Sequence, residues 1–285
     1  MKEPTLADVV EARGRIARHI HRTPVLTSHS MDDWCGAKLL FKCENFQRAG
    51  VFKSRGAFNA VLALSEAEAR NGVVTHSSGN HGAALALAAR IQAETGARMV
   101  HPYNDALVIA GQGTVGLEFL EEHPDLDAVV GPIGGGGHLA GTAIAAKGLK
   151  PGIRVLGAEP EGADDAARSL RAGRLIAQTN PQTIADGLRS SLGDITFPLL
   201  QRHVDDIITV SEPAIVDAMR LIWSVLKIVI EPSSAVAVAA ARRAGESLAG
   251  RRVGIILTGG NADLENLPWA TAGGGQSAAD QPLLR

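Results

Sequence analysis

Apolar positions along this chain alternate between helical spacing and short unbroken runs. Near the N-terminus Leu6, Val9, Val10, Ile16 and Ile20 recur on one helical face, which predicts a helix reaching to about His21. Residues 38–42 (KLLFK) read as a short strand, and residues 52–64, opening on FKSRG, as a helix. A theme then repeats: a short β-branched run, a turn rich in Gly or Asn, and an Ala-rich helix. GVVTH (72–76) leads into SSGNHG and AALALAARIQAET; LDAVVGPI (126–133) leads into GGGG and HLAGTAIAAKGL. IRVLGA (153–158) leads into EPEGADDAARSL, and RVGIIL (252–257) into TGGNADL. Apolar runs that alternate with helices predict an α/β fold with parallel strands joined by right-handed crossovers. In such sheets ligands bind beyond the carboxyl ends of the strands, where four of the chain's glycine or polar clusters fall. The segment ATAGGGQSAADQPLLR lacks periodicity, and residues 269–285 are expected to form a disordered tail.

Composition narrows the function classes. The 28 Lys and Arg against 30 Asp and Glu leave a net charge of −2, without the basic excess of a nucleic-acid binder. Two cysteines, Cys35 and Cys43, exclude a disulfide framework and a cysteine-based zinc site. The longest apolar stretch, residues 221–230, is broken by Lys227 and is too short to span a bilayer. The N-terminal residues carry charges where a signal peptide needs an apolar region, so a cytoplasmic globular protein is expected.

Gly134, Gly135, Gly136 and Gly137, between a strand and a helix, let successive N–H groups turn toward one anion at a helix N-terminus. No Gly-Lys-Ser/Thr follows, so this is not a Walker loop. Gly135, Gly137 and Ala140 do satisfy a loose dinucleotide fingerprint, with Glu159 placed as the ribose-binding acid, and a nicotinamide-dependent oxidoreductase stands as an alternative of another class. Lys53 lies beside Phe52 at a small-residue helix start; a lysine held against apolar surface has its charged form disfavoured and its amine freed for Schiff-base chemistry. The turn Ser77, Ser78, Gly79, Asn80, His81, Gly82 offers hydroxyls, an amide and backbone donors to a carboxylate or ring hydroxyl. A Ser/His hydrolase is disfavoured, since no nucleophile elbow or orienting acid accompanies Ser78 and His81. Thr258, in TGGN, could hydrogen-bond a heterocyclic nitrogen.

Taken in order and spacing, these residues resemble the fold-type II pyridoxal-phosphate enzymes, in particular the serine/threonine dehydratase and serine racemase branch, over residues 5–268. The resemblance implies a two-domain, tryptophan synthase β-like fold with parallel-rich sheets flanked by helices. The large domain would comprise residues 1–46 and 105–268, and the small domain residues 47–104. Lys53 looks like the Schiff-base lysine with Phe52 against the cofactor ring, Asn80 would contact the ring hydroxyl, Gly134 to Gly137 the phosphate, and Thr258 the pyridine nitrogen. Ser77, Ser78, Asn80 and His81 resemble the loop that takes the substrate carboxylate, Ser190 resembles another substrate-side serine, and Ser78 matches the racemase's second acid/base. Glu159, the Ala163 carbonyl and Asp165 resemble a site for Mg²⁺ or Mn²⁺, a hard cation suited to oxygen ligands.

The implied activity is β-elimination of L-threonine or L-serine to a 2-oxo acid and ammonia, with Lys53 as base. Serine racemisation and 3-hydroxyaspartate elimination are neighbouring readings, and the resemblance implies a homodimer. Two departures stand out. Val51 replaces a small polar residue, and AALALAAR runs directly into IQAETGARMVHPY, where the family carries a further stretch of about one βαβ unit (~30 residues or more). A strand, one longer helix and a strand would remain. A shortened small domain leaves open a compact enzyme or a cofactor-binding remnant of little activity.

Overall fold

The computed structural model describes residues 3–75 and 90–270. Its main sheet has six strands in the order β1-β2-β8-β5-β6-β7. These are β1 (Val25–Leu26), β2 (Lys38–Cys43), β5 (Ala128–Pro132), β6 (Arg154–Pro160), β7 (Asp206–Val210) and β8 (Arg252–Leu257). Every pairing is parallel except β1 with β2, an antiparallel edge that the repeated strand–turn–helix theme does not predict.

Helices cover both faces, as the unbroken apolar runs require. Leu39, Phe41, Val130 and Leu156 point to a core shared with α2 (His29–Cys35), α9 (Glu212–Val225) and α10 (Pro232–Ala244). Leu40, Val129 and Val155, their neighbours in sequence, point to the opposite core. That core is closed by α1 (Leu6–Ile16), α5 (Ala106–Glu122), α6 (Gly137–Leu149), α7 (Asp165–Ala172) and α8 (Thr196–His203). Helix starts carry local caps: Thr5 and Asp8 form a reciprocal capping box on α1, and Asp105 accepts from the N–H groups of Leu107 and Val108 on α5.

Helices α5 and α6 touch through glycine. A Cβ on Gly113 would lie 2.7 Å from the Gly141 carbonyl, and one on Gly141 would lie 2.2 Å from that of Ile109. GQGTVG and LAGTA are therefore packing sequences, small enough for two backbones to meet.

Further described elements include α3 (Lys53–Leu62), α4 (Glu66–Arg70) and a parallel pair, β3 (Val73–Val74) with β4 (Arg98–Met99). Ala60, Val100 and Val108 form a small separate core beside this pair. At the C-terminal side, Trp269 packs edge-on against Trp223 with centroids 5.2 Å apart, and Arg220 lies over its ring. Of the expected tail only residues 269 and 270 fall within the described residues; 271–285 lie outside them.

Candidate active site

Two neighbouring strand ends, those of β8 and β5, frame the site. The N–H of Phe52 donates to the Thr258 carbonyl (2.9 Å), and Val51 bridges Gly259. These bonds fix the start of α3, and hence Lys53, to the end of β8. Strand β5 leads through Gly134 to Gly136 into α6. Phe52, Lys53, Gly134 to Gly137, Ser190 and Thr258 all line one cleft, together with Tyr103, His138, Gly187, Glu231 and Ser233.

The glycine loop is shaped by what lies behind it. A Cβ on Gly135 would sit 2.3 Å from the Tyr103 ring, and one on Gly137 would sit 2.5 Å from the Tyr103 carbonyl. Gly136 adopts φ +87°, where a side chain is strained. Thr196 Oγ1 donates to the Gly135 carbonyl at 2.8 Å, holding that oxygen away from the cleft. Gly136 caps α6 without any side-chain acceptor, so the first-turn N–H groups have no side-chain cap at the cleft. Such a terminus favours an anion.

Thr258 is nearly buried, and its hydroxyl lies 3.1 Å from Ser234 Oγ. Ser234 is itself fixed, donating to the Gly259 carbonyl (2.7 Å) and accepting from its N–H (2.8 Å). Lys53 is exposed, contrary to the apolar setting expected for it, and the charge nearest in effect is Glu231 across the cleft. Burial pushes the Glu231 carboxyl up to about 7, with Lys53 opposing the rise. Anion cradle, primary amine and a positioned hydroxyl within one cleft are a lining that pyridoxal phosphate would fit: the glycine loop could take a phosphate, Lys53 an aldehyde, and Thr258 a ring nitrogen.

Several residues of the site carry no signal of their own in the sequence. The His138 ring packs tilted against Phe52, with centroids 4.4 Å apart; burial, with the Arg55 charge adding, pushes its imidazole down to about 3. Neither of its ring nitrogens has a partner among the described residues, nor does Gln112 Oε1. Arg55 is fully buried and tied to Glu44 and Glu118. The spacing of Lys53 and Arg55 gives no hint of this pairing, because its acids come from distant segments.

Glu159 accepts the N–H groups of Ala166 (3.0 Å) and Ala167 (2.8 Å), and Asp165 accepts that of Leu192 (3.1 Å). Burial, with the Asp165 and Asp164 charges adding, raises Glu159 to about 8, and burial raises Asp165 to about 6. Both Glu159 oxygens thus accept main-chain N–H groups at the start of α7, which weakens the dinucleotide reading. Among the described residues no group of three or more His, Cys, Asp or Glu side chains forms a metal cage. Ser77, Ser78, Asn80 and His81 lie outside the described residues. No described helix is long and apolar enough to cross a membrane.

Comparison with known proteins agrees with this geometry. The β-hydroxyaspartate dehydratase of Paracoccus denitrificans is 47% identical over 311 aligned positions, covering 93% of this chain and 99% of the relative. That alignment is longer than the 285 residues available, so the relative carries residues this chain lacks. The structure of maize serine racemase superposes with a TM-score of 0.88 at 42% identity, covering 95% of this chain and 97% of that one. A threonine deaminase from T.th. gives a TM-score of 0.83 at 46% identity, covering 91% of this chain and 99% of that one. The family model described as pyridoxal-phosphate dependent enzyme matches residues 16–92 and 88–259, two pieces that meet where the sequence lacks its expected stretch. The chain belongs to the pyridoxal-phosphate dependent enzyme family.

Proposed function

We propose that the chain is a pyridoxal-phosphate-dependent ammonia-lyase that removes water from a β-hydroxy amino acid, L-threonine or L-serine, to give a 2-oxo acid and ammonia. The observation that carries this reading is the meeting of Lys53, the uncapped glycine loop and the Ser234-supported Thr258 hydroxyl in one cleft. When bound, the cofactor supplies an electron sink for the carbon from which the proton leaves. Lys53 Nζ takes that proton as general base. Thr258 offers a neutral hydroxyl where an acidic residue would hold a proton on the ring, a weaker sink that favours prompt loss of the β-substituent. Gly134 to Gly137 would hold the phosphate, Phe52 would lie against the ring, and Ser190 would be on the substrate side. Ser77, Ser78, Asn80 and His81 are assigned to the substrate carboxylate and the ring hydroxyl on the family resemblance alone.

The relatives named for hydroxyaspartate and serine racemisation make 3-hydroxyaspartate elimination and racemisation the neighbouring activities. Ser78 is the acid/base on which racemisation would depend. Glu159, Asp165 and the Ala163 carbonyl are proposed, on the family resemblance, to take a Mg²⁺ or Mn²⁺ ion, whose charge would offset the repulsion that Asp165 exerts on the buried Glu159 carboxyl. Residues 47–104 are proposed as the small domain on the family resemblance, and a cytoplasmic homodimer completes the reading.

The test is to load the purified protein with pyridoxal phosphate and assay 2-oxo acid and ammonia from L-threonine, L-serine and 3-hydroxyaspartate, with chiral analysis of recovered serine. Product from at least one substrate, lost in Lys53→Ala together with the visible Schiff-base band, is expected. Cofactor uptake without product from any of the three would establish a binding remnant instead.

A further inference from the structure

Among the described residues that line the cleft, Glu231 is the only carboxyl, and the reaction set out above gives it no task. It occupies the N-cap position of α10, where an acidic side chain ordinarily folds back onto the helix. Here it makes no such cap bond. Its Oε1 instead lies where a Cβ on Gly259 would be 2.8 Å away, so the bare glycine beside Thr258 makes room for the carboxyl.

The backbone on either side is pinned. Glu231 N–H donates to the Gly259 carbonyl (3.0 Å), and Ser234 N–H donates to the Glu231 carbonyl (3.1 Å). The carboxyl accepts the Asn261 N–H, faces Lys53 from α3, and feels Asp186 from the short turn Asp186–Leu188. Tyr103 and His138 are the other titratable groups lining the cleft among the described residues. Burial, the Lys53 charge and Asp186 together leave the Glu231 carboxyl at about 7, where it can both hold and release a proton near neutrality.

We propose that Glu231 is the acid that protonates the departing β-hydroxyl. The inference rests on the elimination reading above. Lys53 Nζ takes the Cα proton, and the electron pair of that C–H bond becomes the new Cα–Cβ π bond. The Cβ–O bond breaks with its pair on oxygen, and the Glu231 proton joins it, so that water leaves in place of hydroxide. The ammonium on Lys53 and the carboxylate on Glu231 then face each other across the cleft. Return of one proton from nitrogen to oxygen resets both, and the pair consumes no acid or base over a turnover.

The test compares Glu231→Gln and Glu231→Asp with the parent, all loaded with pyridoxal phosphate. Elimination is followed as 2-oxo acid, and base function separately as solvent deuterium entering Cα of L-alanine, which has no hydroxyl to lose. Glu231→Gln is expected to slow elimination about 100-fold while exchange into alanine stays within about threefold, a split that a general loss of structure would not give. The parent's elimination rate should fall as pH rises through about 7 as the carboxyl loses its proton. Glu231→Asp should keep that limb, and Glu231→Gln should lose it. In the cofactor-free parent, a ¹³C carboxyl resonance titrating near 7 should vanish in Glu231→Gln. Elimination and exchange falling together, elimination unchanged in Glu231→Gln, or no carboxyl titrating near 7 would each overturn the proposal. A parent that exchanges alanine but eliminates nothing would overturn the elimination reading and this inference with it. A parent that eliminates normally beside a fully active Glu231→Gln overturns the inference alone.

Discussion

Arg55 grips Glu44 in a two-pronged ion pair, Nε to Oε2 at 2.8 Å and Nη2 to Oε1 at 2.7 Å, with both side chains fully buried. Its remaining nitrogen reaches Glu118 Oε2 at 3.1 Å, and Lys42 completes the group by donating to Glu118 Oε1 at 2.6 Å. Two acids and two bases thus join β2, α3, α5 and the short turn Glu44–Phe46 in a water-poor interior. The pair lies two residues beyond Lys53, so the network sets where the reactive amine starts. The neighbouring carboxylates hold the guanidinium charged, above its ordinary range, against the opposing effect of burial.

Arg55→Met should therefore cost about 3–5 kcal/mol of stability, since Glu44 would be left buried without its partner. Urea unfolding monitored by circular dichroism reads this directly. Arg55→Lys should recover only a small part, because one ammonium cannot make the parallel bonds.

The glycine loop gives a second expectation. Gly137→Ala places a methyl against main chain, 2.5 Å from the Tyr103 carbonyl, with no flexible side chain to yield. Its affinity for pyridoxal phosphate should fall at least tenfold, about 1.4 kcal/mol, in an absorbance titration. Gly135→Ala meets the Tyr103 ring, so Gly135→Ala with Tyr103→Ala should recover part of the loss.

His138 supplies a pH dependence. Its imidazole is held down to about 3 in the folded chain against an ordinary 6.5, so between these values the unfolded chain binds a proton that the folded one does not. Parent stability must then decline as pH drops below 6.5, by up to roughly 1.4 kcal/mol per unit. His138→Leu removes that slope and two nitrogens without partners among the described residues. It should be at least as stable as the parent at pH 8, and its advantage should widen steadily toward pH 4 in parallel melts.

Lys53 predicts the opposite of Arg55. It is exposed, and no ion pair forms through it among the described residues. Lys53→Ala should melt within about 2 °C of the parent, well inside the shift that 1 kcal/mol produces, while losing the visible band of the loaded protein. Ser234→Ala should leave that band but weaken cofactor binding modestly, since Thr258 loses the oxygen that orients it.

The parts of the site that are legible in sequence are those whose chemistry is local. Four glycines between a strand and a helix, or a threonine at a strand end, announce their setting through immediate neighbours. Arg55, His138 and Glu231 do not, because their meaning comes from segments about ten to 180 residues away that only the sheet order brings together. The same division holds for the fold. Strands β2, β5, β6 and β8 are readable from their apolar runs, whereas β7, with Asp206 and Thr209 among its five residues, carries a weaker pattern. The residues beside Lys53 predict an apolar setting for it, yet Phe52 turns toward His138 and leaves the lysine open.

The glycine contact between α5 and α6 has a thermodynamic consequence. The proposed phosphate cradle begins the helix that is locked backbone to backbone against α5, inside the same core that closes one face of the main sheet. The cradle is therefore part of the folded state before any ligand arrives, and occupancy need not drive local ordering there. Heat absorbed on melting should come as one cooperative peak with or without cofactor, moving upward with the logarithm of free pyridoxal phosphate as for a ligand that selects only the native chain.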